Sequence, residues 1–238
     1  MGSRRQMLTG LAASLLAAGT WRPAFGAGTA VESRAVSGFD SVRWDAVGEL
    51  LIEQTQREHL SVEAEPAVLA KIVTEVRQRR LSMGFAPGRI QTSLPIRFRL
   101  EVKSLLELES RTSGDIRMGP LATSELRLLL SGSGDLQLAH LSARSLLVRQ
   151  DGSGAIGIGG GAVLAQRVVI AGSGDYTAPR LASREADVAI EGSGVIRIAA
   201  SERLSARITG SGDVLFVGNP RVQQTVTGAG EVRRLSGP

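Results

Sequence analysis

The feature that most constrains the fold is a four-residue turn that returns at a nearly constant interval. Gly132-Ser133-Gly134-Asp135 recurs as Gly152-Ser153-Gly154, Gly172-Ser173-Gly174-Asp175, Gly192-Ser193-Gly194 and Gly210-Ser211-Gly212-Asp213. A weakened copy stands at Gly228-Ala229-Gly230-Glu231, and Thr112-Ser113-Gly114-Asp115 holds the same position one period earlier. The spacings are 20, 20, 20, 20, 18 and 18 residues, so seven copies stay in register. A unit this short cannot bury its own apolar face, and a chain with such a period must stack its units on one another.

The columns around the turn show what each unit is. After it come Ile116, Leu136, Ile156, Tyr176, Ile196 and Val214, and two residues further on Met118, Leu138, Ile158, Ala178, Ile198 and Phe216. Between these columns stand Arg117, Gln137, Gly157, Thr177, Arg197 and Leu215, mostly outward types, which is strand alternation of period two. Before the turn, Leu130, Gln150, Ile170, Ile190, Ile208 and Val226 form one column, and Leu128, Val148, Val168, Val188, Ala206 and Gln224 another. Each unit is therefore strand, Gly-Ser-Gly turn, strand and a looser turn such as Leu141-Ser142-Ala143. Like positions then lie about 4.8 Å apart across a parallel ladder. The expected fold is all-β: a single-domain parallel β-solenoid, or β-helix, with coils of about 20 residues. Parallel crossovers are almost always right-handed, so the coil should be right-handed too.

Glycine lets backbones approach where a strand bends sharply. The turn serines can bond their own turn or the next coil, and Asp115, Asp135, Asp175 and Asp213 can cap turn amides in the Asx manner. An aspartate row for calcium is the competing reading, but Ala155 and Val195 interrupt it and the nine-residue calcium repeat is absent. The Gly-Ser-Gly residues, from Ser113 and Gly114 onward, are read as structural turns, and no metal is expected.

Residues 35–110 lack the turn but alternate as strands at Val42 and Trp44, Leu50 and Ile52, Leu60 and Val62, Leu81 and Met83, and Ile96, Phe98 and Leu100. Pro66 to Ile72 reads as one short helix with proline at its first position. No linker rich in Pro, Gly or Ser divides the halves, which implies non-repetitive early coils over 35–110 running into repeats over 111–232 of one domain.

With no cysteine, disulfides, thiolate metal sites and cysteine nucleophiles are excluded, and two histidines argue against a His-rich centre. The formal charge of +5 falls to +2 once residues 1–27, with Arg4, Arg5 and Arg22 and no acid, are set aside. Arginines are spread along the chain among acids, without the clustered patch that nucleic acids need. Residues 1–27 themselves read as a signal peptide. Arg4-Arg5 precedes an apolar run from Leu8 to Ala18, too short to span a bilayer, followed by small residues, with cleavage after Gly26, Ala27 or Ala30. The paired arginines resemble a twin-arginine signal, so the expected location is exported: periplasm, cell surface or beyond.

Phe39-Asp40-Ser41-Val42, Leu50-Leu51-Ile52-Glu53-Gln54, Leu60-Ser61-Val62-Glu63-Ala64, Leu69, Ile72 and Leu81-Ser82-Met83, followed by the Gly-Ser-Gly-Asp repeats, resemble the putative auto-transporter adhesin head GIN domain family. The resemblance covers residues 35–235 and implies an exported bacterial β-solenoid with an adhesion-type role and no catalytic residues to carry over. This chain lacks the lipobox cysteine of a lipoprotein.

Several motifs imitate chemistry. Gly152-Ser153-Gly154-Ala155-Ile156-Gly157 fits a dinucleotide pattern, but Gly159-Gly160-Gly161 follows where a helix must begin. His59 and His140 read as turn residues. The expected function is a non-enzymatic exported scaffold or adhesion-type binding module with no cofactor. Arg117, Gln137, Thr177 and Arg197 are its candidate ligand-facing residues, for an envelope or host polysaccharide or a surface protein. The alternatives are a polysaccharide-active β-helix enzyme using the Asp115 and Asp135 carboxylates, and self-assembly through the solenoid ends.

Overall fold

The computed structural model describes residues 28–235; the signal segment expected over 1–27 lies outside them. In chain order the elements are β1 (Ala30–Arg34), β2 (Ser41–Trp44), β3 (Glu49–Gln54), β4 (His59–Ala64), α1 (Pro66–Leu69), β5 (Ile72–Arg77), β6 (Arg80–Phe85) and β7 (Arg97–Val102). The repeats contribute β8 (Glu107–Ser110), β9 (Asp115–Met118), β10 (Leu121–Ala122), β11 (Glu125–Leu130), β12 (Leu136–Leu138), β13 (Leu141–Ser142), β14 (Ser145–Gln150) and β15 (Ala155–Ile158). They continue through β16 (Gly161–Gly172), β17 (Asp175–Ala178), β18 (Leu181–Gly192), β19 (Val195–Ala199), β20 (Arg203–Gly210), β21 (Asp213–Val217), β22 (Arg221–Gly228) and β23 (Val232–Arg234).

These strands form a β-solenoid of about 6 turns. Strands before each Gly-Ser-Gly turn build one sheet, in the order β8-β11-β14-β16-β18-β20-β22, and strands after it build the facing sheet, β9-β12-β15-β17-β19-β21-β23. Every pairing along these two runs is parallel, and the register follows the repeat: Leu128 pairs with Val148, which pairs with Val168, which pairs with Val188. The looser turn adds a short third ladder in which Leu121, Leu141, Gly161 and Leu181 stack. The columns read as inward from sequence are buried, down to Tyr176 and Gln150, except at the last rung, where Gln224 and Val226 are exposed.

The second glycine of each turn fixes how closely coils stack. A Cβ on Gly134, Gly154, Gly194 or Gly212 would come closer than 3.0 Å to the carbonyl oxygen of the matching glycine one coil earlier. All these glycines are buried, while the turn serines between them are exposed. Any side chain there separates two coils along the whole rung.

Residues 55–106 leave the coil path. Instead of proceeding from β3 to the next coil, the chain folds back over the starting end. β6 lies parallel to β2 and β7 parallel to β3, on the side away from β8 and β9. Beyond them β5 pairs antiparallel with β6, β4 antiparallel with β7, and β1 antiparallel with β4. The spatial order of the first coils is thus not their chain order. The expected helix is a single turn, Pro66–Leu69, and its buried Val68 and Leu69 cover this end of the core. Trp44 and Phe98 meet edge to face with centroids 6.3 Å apart, joining the folded-back coil to the first in-line one.

Two buried glutamines interrupt the apolar core. Gln150 donates to the Gly154 carbonyl. Gln166, in the column of Leu146, donates to the Ser183 hydroxyl at 2.8 Å and the Ala199 carbonyl at 3.2 Å, and accepts from the Tyr176 hydroxyl at 3.2 Å. Burial raises the Tyr176 phenol well above its ordinary range, so it stays a donor at any physiological pH.

Gly194→Ala should lower stability by about 2–3 kcal/mol, because the new methyl overpacks a backbone contact that cannot relax locally. Ser193→Ala, one residue away and exposed, should stay within about 0.5 kcal/mol. Urea midpoints of the two variants check the contrast.

Candidate functional site

The turn aspartates lie on the ladder but do not cap their own turns. Each Oδ1 accepts the amide of the matching position one coil on: Asp135 N–H donates to Asp115 at 3.2 Å, Ala155 to Asp135 at 2.8 Å, Val195 to Asp175 at 2.9 Å and Glu231 to Asp213 at 2.9 Å. After Ala155 and Val195, which have no carboxylate, the next amides bond to backbone instead: Asp175 N–H to the Gly154 carbonyl at 3.3 Å and Asp213 N–H to Gly194 at 3.2 Å. Every rung's amide is accounted for, and the gaps in the aspartate row are filled by main chain. Among the described residues no group of three or more His, Cys, Asp or Glu is placed to hold a metal. The turn serines make no side-chain hydrogen bond among the described residues.

Arg117, Gln137, Thr177 and Arg197 fall in one outward column on the facing sheet, in continuous register through Gly157. Arg117 is ion-paired with Glu49. The Gln137 amide lies over Gly157, in the space that a Cβ there would take. Arg197 has no acid partner among the described residues. This face is a shallow stripe rather than a cleft.

The larger concavity is on the outer face of the other sheet, where sequence reading placed nothing. It is a groove of about 720 Å³ crossing six strands, β11, β14, β16, β18, β20 and β22. At the ladder spacing it is about 24 Å long. Its floor is low because Ser145 and Ala165 are the outward residues of the central rungs, and larger polar side chains border them on both sides. Arg127 reaches Glu107 at 3.6 Å, Arg167 reaches Asp187 at 3.6 Å and Arg203 reaches Glu185 at 2.7 Å. Arg207 lines the groove with no acid partner among the described residues. The signal in the sequence was the outward column Glu125, Ser145, Ala165, Glu185, Arg203: two small residues inside a charged run.

Two smaller recesses flank these faces. One, of about 400 Å³, lies at the looser turns and is lined by Val163, Leu164, Ala182, Ala199 and Val217, with Leu164 53% exposed. The other, of about 310 Å³, holds Arg57, His59, Arg99 and Glu101 near the folded-back end. There Arg57 donates to both Glu101 oxygens at 2.5 and 2.7 Å, and these bonds hold the Glu101 carboxyl below the usual carboxylate range. None of these three concavities is lined by a turn aspartate, so the Asp115 and Asp135 carboxylates lie outside all of them. Trp44, Tyr176, Phe98, Phe39 and Phe216 are buried, so among the described residues Phe85 alone is a part-exposed aromatic and no aromatic platform forms.

A stack of parallel coils with short turns and two long open faces defines a β-solenoid repeat protein whose surfaces, not its loops, are available for contact. The chain belongs to the putative auto-transporter adhesin, head GIN domain family, which matches residues 38–220. Among solved structures, a putative adhesin from Bacteroides fragilis matches with a TM-score of 0.84 at 18% identity, covering 88% of this chain and 98% of its own. A putative adhesin from Parabacteroides merdae gives 0.72 at 21%, covering 88% and 97%, and a putative lipid binding protein from Parabacteroides distasonis gives 0.69 at 21%, covering 88% and 98%. At these identities the likeness is one of fold. No curated protein matches the sequence. Among the described residues no helix is long and apolar enough to cross a membrane.

Asp175→Ala should cost about 1 kcal/mol by leaving the Val195 amide without its acceptor, and Asp175→Asn, which keeps an oxygen there, clearly less. Hydrogen exchange at the Val195 amide should quicken in the alanine variant and change little in the asparagine one.

Proposed function

We propose that this chain is an exported, non-enzymatic binding module of the adhesion type, and that its contact surface is the groove over β11 to β22. The observation that carries this reading is the groove's composition: across six rungs, guanidinium and carboxylate groups border a low floor at Ser145 and Ala165. Such a border offers donors and acceptors in turn, which suits hydroxyl groups, since each hydroxyl both gives and takes a hydrogen bond. The rung spacing also resembles the rise of one sugar in an extended polysaccharide, so successive sugars would meet equivalent rungs. A linear envelope or host polysaccharide fits these terms. Catalysis has less support, because two of the groove's three carboxylates, Asp187 and Glu185, are engaged by arginines and the turn aspartates by amides. The adhesin names borne by solved relatives agree with a contact role.

A second reading has its own observation. The recess around Leu164 is almost wholly apolar, and one relative is named as a lipid binding protein. An acyl chain, rather than a polysaccharide, would occupy that recess.

The test is retention of the chain on immobilised polysaccharides, with released oligosaccharide measured in the same wells. Retention without fragments is expected; defined fragments would establish an enzyme. Ala165→Trp fills the groove floor and should lower retention at least tenfold, whereas Thr177→Trp on the opposite sheet should not. Binding of a fluorescent fatty acid that is lost in a Leu164→Asp variant, with no polysaccharide retained, would favour the recess.

Export rests on Arg4 and Arg5 ahead of the apolar run. Replacing both by lysine should strand the full-length chain in the cytosolic fraction, and unchanged export would remove the twin-arginine assignment.

A further inference from the structure

The two ends of the solenoid are not alike. At the starting end the core is covered by α1, and the outermost strands carry charges, Glu32 and Arg34 on β1 and Glu75 and Arg77 on β5. At the other end nothing among the described residues covers the last rung. All eight residues of β22 are exposed, including the inward-column Val222 at 42% and Val226 at 37%, where Leu204 and Ile208 one coil earlier are at 0%.

The free edge of β22 has a defined hydrogen-bonding pattern. Arg221 N–H donates to Glu202 and Ala229 N–H to Gly210, so the odd-numbered amides point toward β20. The amides and carbonyls of Val222, Gln224 and Val226 therefore point away from the solenoid, at the open edge. From Val222 to Gly228 that edge carries no charge, no proline and no bulge, the devices by which exposed edges are normally blunted.

We infer that β22 pairs antiparallel with β22 of a second copy, about a two-fold axis through Gln224. This register is set by two conditions. Directly opposed residues must keep the same face, which requires the paired numbers to differ by an even count, and the open-edge groups are the even-numbered ones. Centring on Gln224 satisfies both and overlaps the strand most fully. Gln224 then faces Gln224 of the partner subunit, Val222 faces Val226 of the partner subunit, and the outward Arg221 meets a threonine rather than a like charge. The two valines of each copy, uncovered in the single chain, become a continuation of the inward columns. On the other sheet β23 ends in Arg233 and Arg234, and Arg234 donates to Asn219 at 3.4 Å, which keeps the join on β22. Because the starting end is covered and charged, growth stops at two.

The axis lies normal to the sheet, so the outer faces of both copies point the same way. If the groove is the contact surface, as proposed above, the dimer presents two grooves in line on one side and binds a long polymer bivalently. The pairing itself does not depend on that reading.

The chain has no cysteine, so a single substitution gives a clean cross-link test. In the proposed pair the two Gln224 Cα atoms stand about 5.5 Å apart, within disulfide reach. Gln224→Cys should oxidise quickly to a covalent dimer, Val222→Cys should not pair with itself, and Val222→Cys mixed with Val226→Cys should cross-link. Sedimentation of the unmodified chain should show a concentration-dependent species of twice the monomer mass, which Gln224→Lys abolishes while circular dichroism stays unchanged. A monomer at all concentrations, or equal oxidation of Gln224→Cys and Val222→Cys, would overturn the inference. Dimerisation should survive in Ala165→Trp, so failure of the groove and failure of the dimer are read separately. With polysaccharide retention in place, Gln224→Lys should lower apparent affinity by roughly 10²-fold.

Discussion

The backbone contact at the second glycine of each turn sets the rest of the molecule. There the carbonyl oxygen of one coil occupies the position that a Cβ of the next would need, so successive coils stack at ladder distance along their whole length. That closeness lets the aspartate of one turn reach the amide of the next, and it places Leu128, Val148, Val168 and Val188 in one dry column. A repeat with a larger residue at this position would have to bulge, and the bulge would propagate through both sheets.

Regular stacking also decides where function can reside. In the repeats, coils of near-constant length leave no long loops to build a deep cleft, so recognition there falls to the outward columns of the sheets. On such a surface relief comes from side-chain size, and the groove exists because serine and alanine stand where neighbouring rungs carry glutamate and arginine. Three ion pairs engage most of its charged border, which suits contact with neutral hydroxyls better than capture of a strongly charged polymer. Unpaired Arg207 adds one site for an acidic group.

The repeat region was legible because period and alternation are both carried by residue type. Every inward column read from the sequence is buried until the last rung, where Gln224 and Val226 have no coil above them. What was not legible has physical reasons. The early strands could be placed by their alternating apolar residues, but strand direction and spatial order depend on long-range pairing, so the fold-back of residues 55–106 and its antiparallel strands left no local mark. Gln166 stands in an otherwise apolar column, and only the structure supplies Tyr176, Ser183 and the Ala199 carbonyl as its partners. The turn aspartates were seen as caps because Asx geometry is local, whereas their actual acceptor role spans about 20 residues of sequence and one rung of space. The groove was missed because a small outward residue looks unremarkable in one strand and matters only beside its neighbours.

If coil-to-coil stacking is what holds the chain together, coils are interchangeable units, and removing one whole coil should be tolerated better than removing half of one. The direct measurement is cooperative unfolding of two deletion variants. Loss of residues 172–191, one full period, should leave a folded β-protein with a single transition, because Ala171 then runs into Gly192 in unchanged register. Loss of residues 172–181 should abolish folding, because it puts turn against strand in every later rung. Comparable unfolding of the two, or a full-coil deletion that fails to fold, would contradict a structure built from stacked, equivalent coils.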